Sequence, residues 1–393
     1  MKKIFLLLSA LMLLGTGLMA QTAEELDKSR DRSKYANDSF KDGETYTVTT
    51  PYETVTVAPV KGKKVKNIIL MIGDGMGVEQ VSCGWVLNGG HLNMDNMQAC
   101  GYSRTWTYDK LITDSGAGGT SIACGVKTKY ARIGQDAEGN PVKSVLRYAQ
   151  DKGMKTGLAV TCRINDCTPV DFIAHAVNRK DEPALAAEYV NCGVDWISGG
   201  GIEFWRNRED GRDLVKEMVD KGYTFIDDPK DIQGLTKGPV VGLFAPLEME
   251  PALDRGPVLE DCATKAIELL DNKKGFFLMI EGSSIDDWCH RHKVGYSMEE
   301  LFDFDRTIGK VLKWAEQDGE TLVIVTADHA TGGLTLIKGS IDERTVNVHF
   351  STKGHNGIIV PVFAYGPHAE DFIGVYENAE IGRRIRNIIL KKK

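Results

Sequence analysis

The sequence lacks three features that would assign it to common classes of protein. Its eight cysteines include no CxxC pair, which excludes the zinc-knuckle and dithiol redox motifs that need this spacing. No apolar run reaches the roughly 20 residues of a membrane-spanning helix. Basic residues are not in excess, because 48 lysines and arginines stand against 55 acidic residues. The net charge of −7 argues against nucleic acid as a dedicated partner, since phosphate backbones are bound by basic surfaces.

The first residues predict export from the cytoplasm. Two lysines precede an apolar stretch from Ile4 to Leu14, and small residues follow up to Ala20. This is the pattern of a cleavable signal peptide over residues 1–20. We therefore expect a periplasmic or secreted protein without a membrane span. Residues 21–44 are polar and charged, and they are predicted to form a mobile lead-in.

The cysteines can be free or bridged in such a compartment, where disulfides are able to form. Two pairs are close enough in the chain to be considered, Cys83 with Cys100 and Cys162 with Cys167. The sequence does not decide their connectivity.

Short apolar runs alternate with helical patterns along most of the chain. Strands are expected at Asn67–Ile72, Thr156–Val160, Val240–Phe244, Phe276–Ile280, Leu322–Val325 and Ile358–Ala364, and helices within 144–153, 260–275 and 298–319. This alternation predicts an α/β fold with a large, mostly parallel central β-sheet sandwiched by helices. We expect one domain over residues 45–393, with one or two edge strands between Thr45 and Val60 and a surface insertion at about residues 199–235.

Three acidic residues follow apolar runs and are expected at one edge of this sheet. Asp74, Glu281 and Asp328 each come at the end of a predicted strand. Because the carboxyl ends of parallel strands meet at the same edge, where ligands gather, these carboxylates can converge although they are far apart in the chain. Isolated surface carboxylates would have no such common position.

Ser115 lies in the segment TDSGAGG, where a turn is expected to pass into a helix. A helix N-terminus offers unpaired backbone N–H groups and a positive dipole end, and both favour a phosphate. Gly116, Gly118 and Gly119 are poor helix formers, and we expect them where the backbone approaches a ligand closely. By itself the segment would also suit an ordinary N-cap serine.

Histidines and aspartates form pairs that can bind metals. Asp286 and His290 are four residues apart, hence on one face of a helix, and Asp328 precedes His329 directly. His355 lies between two glycines and can complete a site from a loop. Mixed aspartate and histidine ligands suit zinc, whereas the oxygens of Asp74, Glu281 and Thr168 suit magnesium.

Six motifs in this order identify a resemblance to the alkaline phosphatases: GDGMG, TDSGA, TPxxFxAHxxNR, EGSSID, TADHA and GHNG. The resemblance runs from about residue 66 to the end. It implies a metal-dependent phosphate monoester hydrolase that is most active at alkaline pH and acts through a phosphoserine intermediate. It also implies small phosphate monoesters as substrates, and a homodimer is common in the family.

The resemblance also implies roles for individual residues. Ser115 would be the nucleophile and Arg179 would clamp the phosphoryl group, so Ser115, Gly116 and Arg179 are predicted to bind substrate. One Zn²⁺ would be held by Asp74, Asp328 and His329, and the other by Asp286, His290 and His355. An Mg²⁺ would share Asp74 with Thr168 and Glu281. His175, in the same motif as Arg179, is expected to pack in a helix.

Two further carboxylates are candidates for supporting roles. Asp166 lies where family members carry aspartate or histidine, and the aspartate favours magnesium over zinc in the third site. Asp287 lies where the family commonly has lysine, histidine or tryptophan, so a second carboxylate there is expected to weaken phosphate binding by repulsion.

Two other functions remain open from the sequence. A phosphodiesterase of the same superfamily would use the same metals, although Arg179 would crowd a second ester group. A catalytically silent metal- or phosphate-binding envelope protein would require that Asp287 or altered loops abolish turnover. A sulfatase is excluded more firmly, because no CxPxR or SxPxR segment is present.

Overall fold

The computed structural model describes residues 45–62 and 64–391. The predicted signal peptide and lead-in, residues 1–20 and 21–44, lie outside the described residues. Within the described ranges, no helix combines the length and apolar character needed to span a membrane. All eight cysteines are described and are free thiols, so neither of the two possible pairs is bridged.

Fifteen strands are present in the described residues. Their bounds are β1 Thr45–Thr47, β2 Asn67–Gly73, β3 Ala99–Arg104, β4 Lys155–Arg163, β5 Trp196–Gly200, β6 Thr224–Ile226, β7 Val240–Leu243, β8 Phe276–Gly282, β9 Thr321–Thr326, β10 Ala330–Thr331, β11 Leu334–Ser340, β12 Thr345–Phe350, β13 His355–Asn356, β14 Val360–Tyr365 and β15 Gly374–Glu377. All six strands predicted from apolar runs are among them.

Twelve α-helices are present in the same part of the chain. Their bounds are α1 Val78–Leu87, α2 Ser115–Cys124, α3 Val145–Asp151, α4 Cys167–Val170, α5 Glu182–Glu188, α6 Glu203–Arg206, α7 Leu214–Asp220, α8 Ala252–Arg255, α9 Val258–Leu270, α10 Ser284–His290, α11 Val294–Asp318 and α12 Ala379–Leu390. The three helices predicted from their patterns are α3, α9 and α11.

The main sheet has ten strands in the order β15, β3, β14, β9, β2, β8, β4, β5, β7, β6. From β9 to β6 all neighbours are parallel, whereas β14 runs antiparallel to both β9 and β3. This mostly parallel, helix-covered sheet confirms the predicted α/β fold class. A small antiparallel sheet of β1, β12 and β11 and the two-stranded pair of β10 and β13 are separate from it.

Each face of the main sheet has its own hydrophobic core. In β2, Ile69 and Met71 belong to one core, whereas Ile68, Leu70 and Ile72 belong to the other. Helices α1, α9, α10 and α11 pack on the first face, and α2, α3, α4, α5, α7 and α12 pack on the second. Burial on both faces explains why the central strands read as continuous apolar runs.

The segment between Thr45 and Val60 is only partly the predicted edge structure. Its first residues form β1, which is an edge strand of the small sheet. The rest is not a strand, and four of its backbone amides donate to side-chain amide oxygens instead of to a neighbouring strand. The backbone amide of Tyr52 donates to the side chain of Asn88, that of Val55 to Asn93, that of Val57 to Asn96 and that of Val60 to Gln98.

The region around residues 199–235 contains α6, α7 and the edge strand β6 of the main sheet. Part of it therefore extends the sheet. The division of the chain into one domain with an insertion here stays a prediction.

Candidate active site

The three predicted carboxylates lie at one edge of the main sheet, because their strands are neighbours. In the register of β2 with β8 and β9, Ile72 pairs with Glu281 and with Thr326. Asp74 follows β2 by one residue, and its amide donates to Gly282 O at 3.2 Å. Asp328 follows β9 by two residues, and its Oδ1 accepts the amide of Gly75 at 3.3 Å. Parallel pairing alone therefore brings the three side chains together.

Ser115 is the first residue of α2, and Asp114 caps that helix. The Asp114 side chain accepts the amide of Ala117 at 3.3 Å, which satisfies one of the free donors of the first turn. Ser115 Oγ lies 3.2 Å from His329 Nε2. The serine oxygen thus points from a helix N-terminus towards the predicted metal ligands.

The glycines of α2 pack closely against protein atoms, whereas their approach to a ligand stays a prediction. A Cβ on Gly118 would come within 2.8 Å of Asp328 O, and one on Gly119 within 2.2 Å of Asp171 Oδ2. These two glycines let the helix pack against protein atoms. A Cβ on Gly116 would also be tight, at 3.2 Å from Arg132 O.

Asp286, His290 and His355 form the first possible metal-binding group. Asp286 Oδ2 lies 3.1 Å from His290 Nε2, and Asp286 Oδ1 lies 3.6 Å from His355 Nε2. His290 Nδ1 is bonded to Lys353 O, and His355 Nδ1 is bonded to Thr113 O at 2.8 Å. Because a carbonyl oxygen only accepts, each Nδ1 carries a hydrogen, and in the neutral ring Nε2 is the nitrogen with a lone pair for a cation.

Asp74, Asp286 and His329 form the second possible group. His329 Nε2 lies 3.3 Å from Asp74 Oδ1 and 3.1 Å from Asp328 Oδ2. All three residues predicted for this site are therefore together. Asp286 reaches both groups, since its Oδ1 lies 3.9 Å from His329 Nδ1. The sequence did not predict that Asp286 would reach both.

Thr331 connects the two groups. Its hydroxyl donates to Asp286 Oδ1 and lies 3.1 Å from His329 Nδ1. Since the hydroxyl hydrogen is directed at the carboxylate, Thr331 Oγ1 can accept from Nδ1–H of His329. In the neutral ring, His329 Nε2 then also carries a lone pair, so each of the three histidines has an acceptor nitrogen where the carboxylates converge.

Thr168 and Glu281 lie close to each other, and Glu281 is near Asp74. Thr168 is buried in the short helix α4, and hydrogen bonds from Thr168 and Ser283 act on the Glu281 carboxyl. The charges of both Glu281 and Asp166 act on Asp74. The oxygen ligands predicted for a third site are therefore also near one another.

Arg179 is held between two carboxylates that cap two helices. Its Nη1 lies 3.1 Å from Asp114 Oδ2, and its Nη2 lies 3.4 Å from Asp166 Oδ1. Asp166 is the N-cap of α4 and accepts the amide of Cys167 at 2.7 Å. The predicted clamp thus lies beside the predicted nucleophile.

Asp287 points to its own helix partner. Its Oδ1 lies 3.3 Å from Arg291 Nη1, an ion pair in which about a third of each side chain is exposed. Its charge also acts on Arg163 and His290. The carboxylate is therefore near the site without being part of either metal-binding group.

The buried carboxylates repel one another, and their pKa values show it. Burial, followed by the charges of Asp328 and Asp286, raises the pKa of Asp74 well above its ordinary value. Burial raises the pKa of Glu281 to about 8 and that of Asp328 to about 7. Charged acids in such surroundings need nearby cations to stay ionised.

The pKa of Asp286 is shifted in the opposite direction, because histidines surround it. Burial acts against ionisation of Asp286, but His290, His329 and His355 outweigh it and lower its pKa. Burial also opposes the charged form of His290, yet Asp286 raises the pKa of His290 to about 9. For His329, burial and then His355 lower the pKa well below the ordinary value.

Asp166 has a lowered pKa for a different reason, because arginines and not histidines surround it. Burial would raise its pKa, but the guanidinium groups of Arg163 and Arg179 outweigh burial and lower the pKa to about 2.

Several functional-site residues were missed by sequence reasoning. Asp114 directly precedes the serine at the N-cap position, and that spacing was a usable signal. Thr331 lies two residues after His329, on the next short strand. Arg163 carries no signal in a single sequence. The expectation for His175 was wrong, because this residue is exposed outside any helix, and its Nδ1 bonds Gly134 O at 2.7 Å.

Comparison with known proteins gives one consistent family. A family model described as alkaline phosphatase matches residues 65–344. Alkaline phosphatase 4 of Bacillus subtilis is 35% identical over 339 residues, which cover 81% of this chain and 73% of that protein. Alkaline phosphatase 3 of the same organism is 30% identical over 416 residues, covering 82% and 88%.

A solved structure with the same fold belongs to the alkaline phosphatase of the Antarctic bacterium TAB5. A variant of that enzyme, with one histidine replaced by aspartate and Mg bound in its M3 site, has a TM-score of 0.78 and 36% identity to this chain. The match covers 84% of this chain and 99% of that one.

Proposed function

This chain belongs to the alkaline phosphatase family and is a phosphate monoester hydrolase, and from this premise we propose that Ser115 is its nucleophile. One observation carries the proposal: Ser115 Oγ is at the N-terminus of α2 and 3.2 Å from His329 Nε2. His329 in turn contacts Asp74 and Asp328, and Arg179 contacts Asp114, the residue before the serine.

The residues that would hold metal ions fit such ions. Asp74 Oδ1, Glu281 Oε1 and Asp328 Oδ2 are buried and accept no hydrogen bond from the described residues. The three histidines present lone pairs to carboxylates, an arrangement that repels unless a cation or proton lies between. Asp286, His290 and His355 would hold one Zn²⁺, and Asp74, Asp328 and His329 would hold the other.

The third ion would be Mg²⁺, held by Asp74, Thr168 and Glu281. Their oxygen-only chemistry supports this choice. Asp166 near this set favours magnesium over zinc, and the related enzyme from TAB5 carries Mg in its M3 site in a variant that exchanges histidine for aspartate. When bound, the ions would supply Lewis acidity and positive charge to the oxygens that attack and leave phosphorus.

The reaction itself needs two displacements at phosphorus. Ser115 Oγ gives its proton to solvent and forms a bond to phosphorus while the bond to the ester oxygen breaks, and the leaving alcohol takes a proton from solvent. Water then attacks the phosphoserine and gives a proton to solvent. The Oγ–phosphorus bond breaks, inorganic phosphate leaves, and Ser115 Oγ takes up a proton from solvent. The N-terminus of α2, including the Gly116 amide, favours the negative charge of the phosphoryl group throughout.

Arg179 orients the phosphoryl group during both steps. Its planar guanidinium has five N–H donors, of which Asp114 and Asp166 engage two, so others remain for phosphoryl oxygens. A monoester leaves its three terminal oxygens free for this contact. A diester has only two terminal oxygens, so this contact favours monoesters as substrates.

A turnover assay tests the proposal directly. An aryl phosphate monoester and the matching diester are compared at alkaline pH, with chelator and with zinc restored, for the wild type and for Ser115→Ala. We expect zinc-restorable monoester hydrolysis that Ser115→Ala abolishes. Faster diester cleavage would contradict the monoester assignment, and full activity of Ser115→Ala would refute the nucleophile.

We also propose that the chain is exported through residues 1–20 and assembles as a homodimer. The apolar stretch from Ile4 to Leu14 supports export. Mass spectrometry of the N-terminus and light scattering of the mature protein test these two points, with cleavage after Ala20 and twice the chain mass as the expected results.

A further inference from the structure

The residue that holds the proposed clamp is itself held by a second arginine. Asp166 divides its two oxygens between different partners. Oδ1 accepts the amide of Cys167 at 2.7 Å and faces Arg179 Nη2 at 3.4 Å, whereas Oδ2 accepts from Arg163 Nη2 at 2.8 Å. Of the two arginines, Arg163 therefore makes the closer contact with Asp166.

Arg163 is fixed in place by other segments of the chain. It is the last residue of β4, and its amide donates to Glu248 Oε2 at 3.0 Å. Its Nη1 pairs with Glu248, and its Nε lies 3.2 Å from Glu182 Oε2 on α5. Only 12% of the side chain is exposed, so this guanidinium has little freedom to move away from Asp166.

We propose that Arg163 is a positioning residue for phosphate binding, which holds the Asp166 carboxylate and offsets its charge so that Arg179 stays available to the phosphoryl group. This inference rests on the proposed function, because it takes Arg179 as the clamp. Neither the motifs that carry the family resemblance nor the comparisons assign a role to Arg163.

The physical reason is competition for one guanidinium. Without Arg163, Asp166 Oδ2 would lose its close partner, and Arg179 would be the remaining cation on the same carboxylate. A paired contact through both oxygens is stronger than the single 3.4 Å contact, and it would occupy N–H donors that a phosphoryl group needs. Phosphate would then have to displace Asp166.

Charge acts in the same direction as geometry. The carboxylates around Arg163 belong to Asp166, Glu182 and Glu248, and the charge of Asp287 also reaches it. An incoming phosphate dianion would meet this negative charge without Arg163 to offset it. The region is largely buried, so solvent screens these charges poorly.

A mutant cycle tests the proposal with inorganic phosphate as the probe. Arg163→Met, Arg163→Lys, Asp166→Asn and the double variant Arg163→Met/Asp166→Asn are compared with the wild type. Phosphate binding is measured by titration calorimetry and as competitive inhibition. Arg163→Met is expected to weaken phosphate binding roughly tenfold, because Arg179 would lose about one charge-assisted contact with phosphate. KM should rise by the same factor, with little change in kcat.

The cycle separates positioning from general structural damage. Arg163→Lys is expected to recover part of the affinity. In the Asp166→Asn background, where residue 166 carries no charge to compete for Arg179, Arg163→Met should change phosphate affinity less than about twofold. An equal loss in both backgrounds, or no loss in the wild-type background, overturns the proposal.

Arg208→Met provides a matched control. Arg208 is also a largely buried arginine paired with a carboxylate, Asp210, but it does not touch Asp166. Its replacement should lower the melting temperature without changing phosphate affinity. If Arg163→Met does not fold, Arg163→Gln replaces it in the cycle, and unchanged phosphate affinity there also overturns the proposal.

Failure of the inference can be told from failure of the proposed function. A wild type that neither hydrolyses monoesters nor binds phosphate refutes the function. A wild type that does both, with an Arg163→Met variant of equal affinity, refutes only the role of Arg163.

Discussion

At the scale of single residues, Asp286 joins the two halves of the proposed metal centre. Its two oxygens face three histidines, and these histidines lower its pKa against the effect of burial. Such a residue has to be held in one orientation, because a rotated carboxylate would lose contacts on both sides. Thr331, which donates to Asp286 and faces His329, does this.

Thr331→Val is expected to weaken metal binding. Valine has a similar shape but cannot accept from His329 Nδ1 or donate to Asp286, and loss of a supporting contact of this kind typically costs about 10–100-fold in metal affinity. Competition with a chromogenic chelator measures the change. Thr331→Ser should stay near the wild type, and Thr335→Val on β11 serves as a control away from the site. Equal zinc affinity in all four proteins would contradict the role of Thr331.

Asp287→Lys is expected to tighten inhibition by inorganic phosphate. The substitution removes a negative charge near the proposed site and adds a positive one, and the inhibition constant should fall by roughly three- to tenfold in this partly exposed position. Asp220→Lys is a matched control, because Asp220 also pairs with a basic residue one helical turn away, Lys216. An unchanged inhibition constant for Asp287→Lys would show that its charge does not reach the phosphate.

At the scale of secondary structure, helix α2, which carries the proposed nucleophile, is fixed by packing without large side chains. All of its residues are buried, and its glycines lie against Asp328 and Asp171. The helix can come this close to the end of β9 only because the contact positions have no Cβ. The position of Ser115 relative to His329 therefore depends on glycines one turn away.

Gly119→Ala is expected to destabilise the protein and reduce activity together. The new Cβ would lie 2.2 Å from Asp171 Oδ2, so the helix or the carboxylate must move, at a cost of about 1–3 kcal/mol. Thermal unfolding and kcat measure the two effects. Gly234→Ala has open space at its Cβ and should change neither. A stable, fully active Gly119→Ala variant would mean that α2 is not held in this way.

The sequence predicted the strands that are continuous apolar runs and missed those that are not. The strands β2, β4, β7, β8, β9 and β14 are apolar runs, and the pattern identified them. Strand β3 was missed because alternate residues such as Tyr102 are exposed, and β5 was missed because it contains three glycine or serine positions, Ser198, Gly199 and Gly200. Burial on one face, or a strand of small residues, does not give a continuous apolar signal.

The same limit applies to the candidate site. Asp74, Glu281 and Asp328 could be predicted to converge, because strand order in a parallel sheet brings them together. Arg163 could not, since its position beside Asp166 depends on the path of the chain after β4. Contacts between side chains on loops can be identified only from the tertiary structure.

Lys127 links the end of α2 to β15, and it should make stability depend on pH. Burial lowers the pKa of Lys127 to about 8, despite the opposing charge of Glu377. Between pH 8 and the ordinary pKa of 10.5, the unfolded chain binds more protons at Lys127 than the folded chain does. The contribution of Lys127 to stability therefore grows as the pH rises through this range, and it is lost as the pH falls through 8.

The comparison of the wild type with Lys127→Met checks this expectation. The wild type should gain stability relative to the variant between pH 8 and 10.5, by on the order of 2 kcal/mol. Denaturant unfolding at several pH values measures this difference in the free energy of unfolding. Lys127→Gln should differ from the wild type with the same dependence on pH as Lys127→Met. A difference that does not change with pH would show that Lys127 stays charged in the folded protein.

At the scale of the whole molecule, the candidate site joins elements that are far apart in the chain. Its side chains come from the ends of β2, β8 and β9, from α2, α4 and α10, and from β13. The carboxylates repel one another, and several of their oxygens accept no hydrogen bond from the described part of the chain. Folding without cations therefore brings together groups that favour separation.

Removal of metal is expected to lower the melting temperature of the whole domain. Ions that bind only the folded chain stabilise it, by about 4 kcal/mol per site when the free ion is at a thousand times its dissociation constant. Calorimetry in chelator, and after zinc and magnesium are restored, measures the effect. Asp286→Asn removes a carboxylate that reaches both possible metal-binding groups, so the melting temperature of this variant should respond much less to chelator. Equal melting temperatures with and without chelator for the wild type would mean that the convergence of these residues does not depend on bound ions.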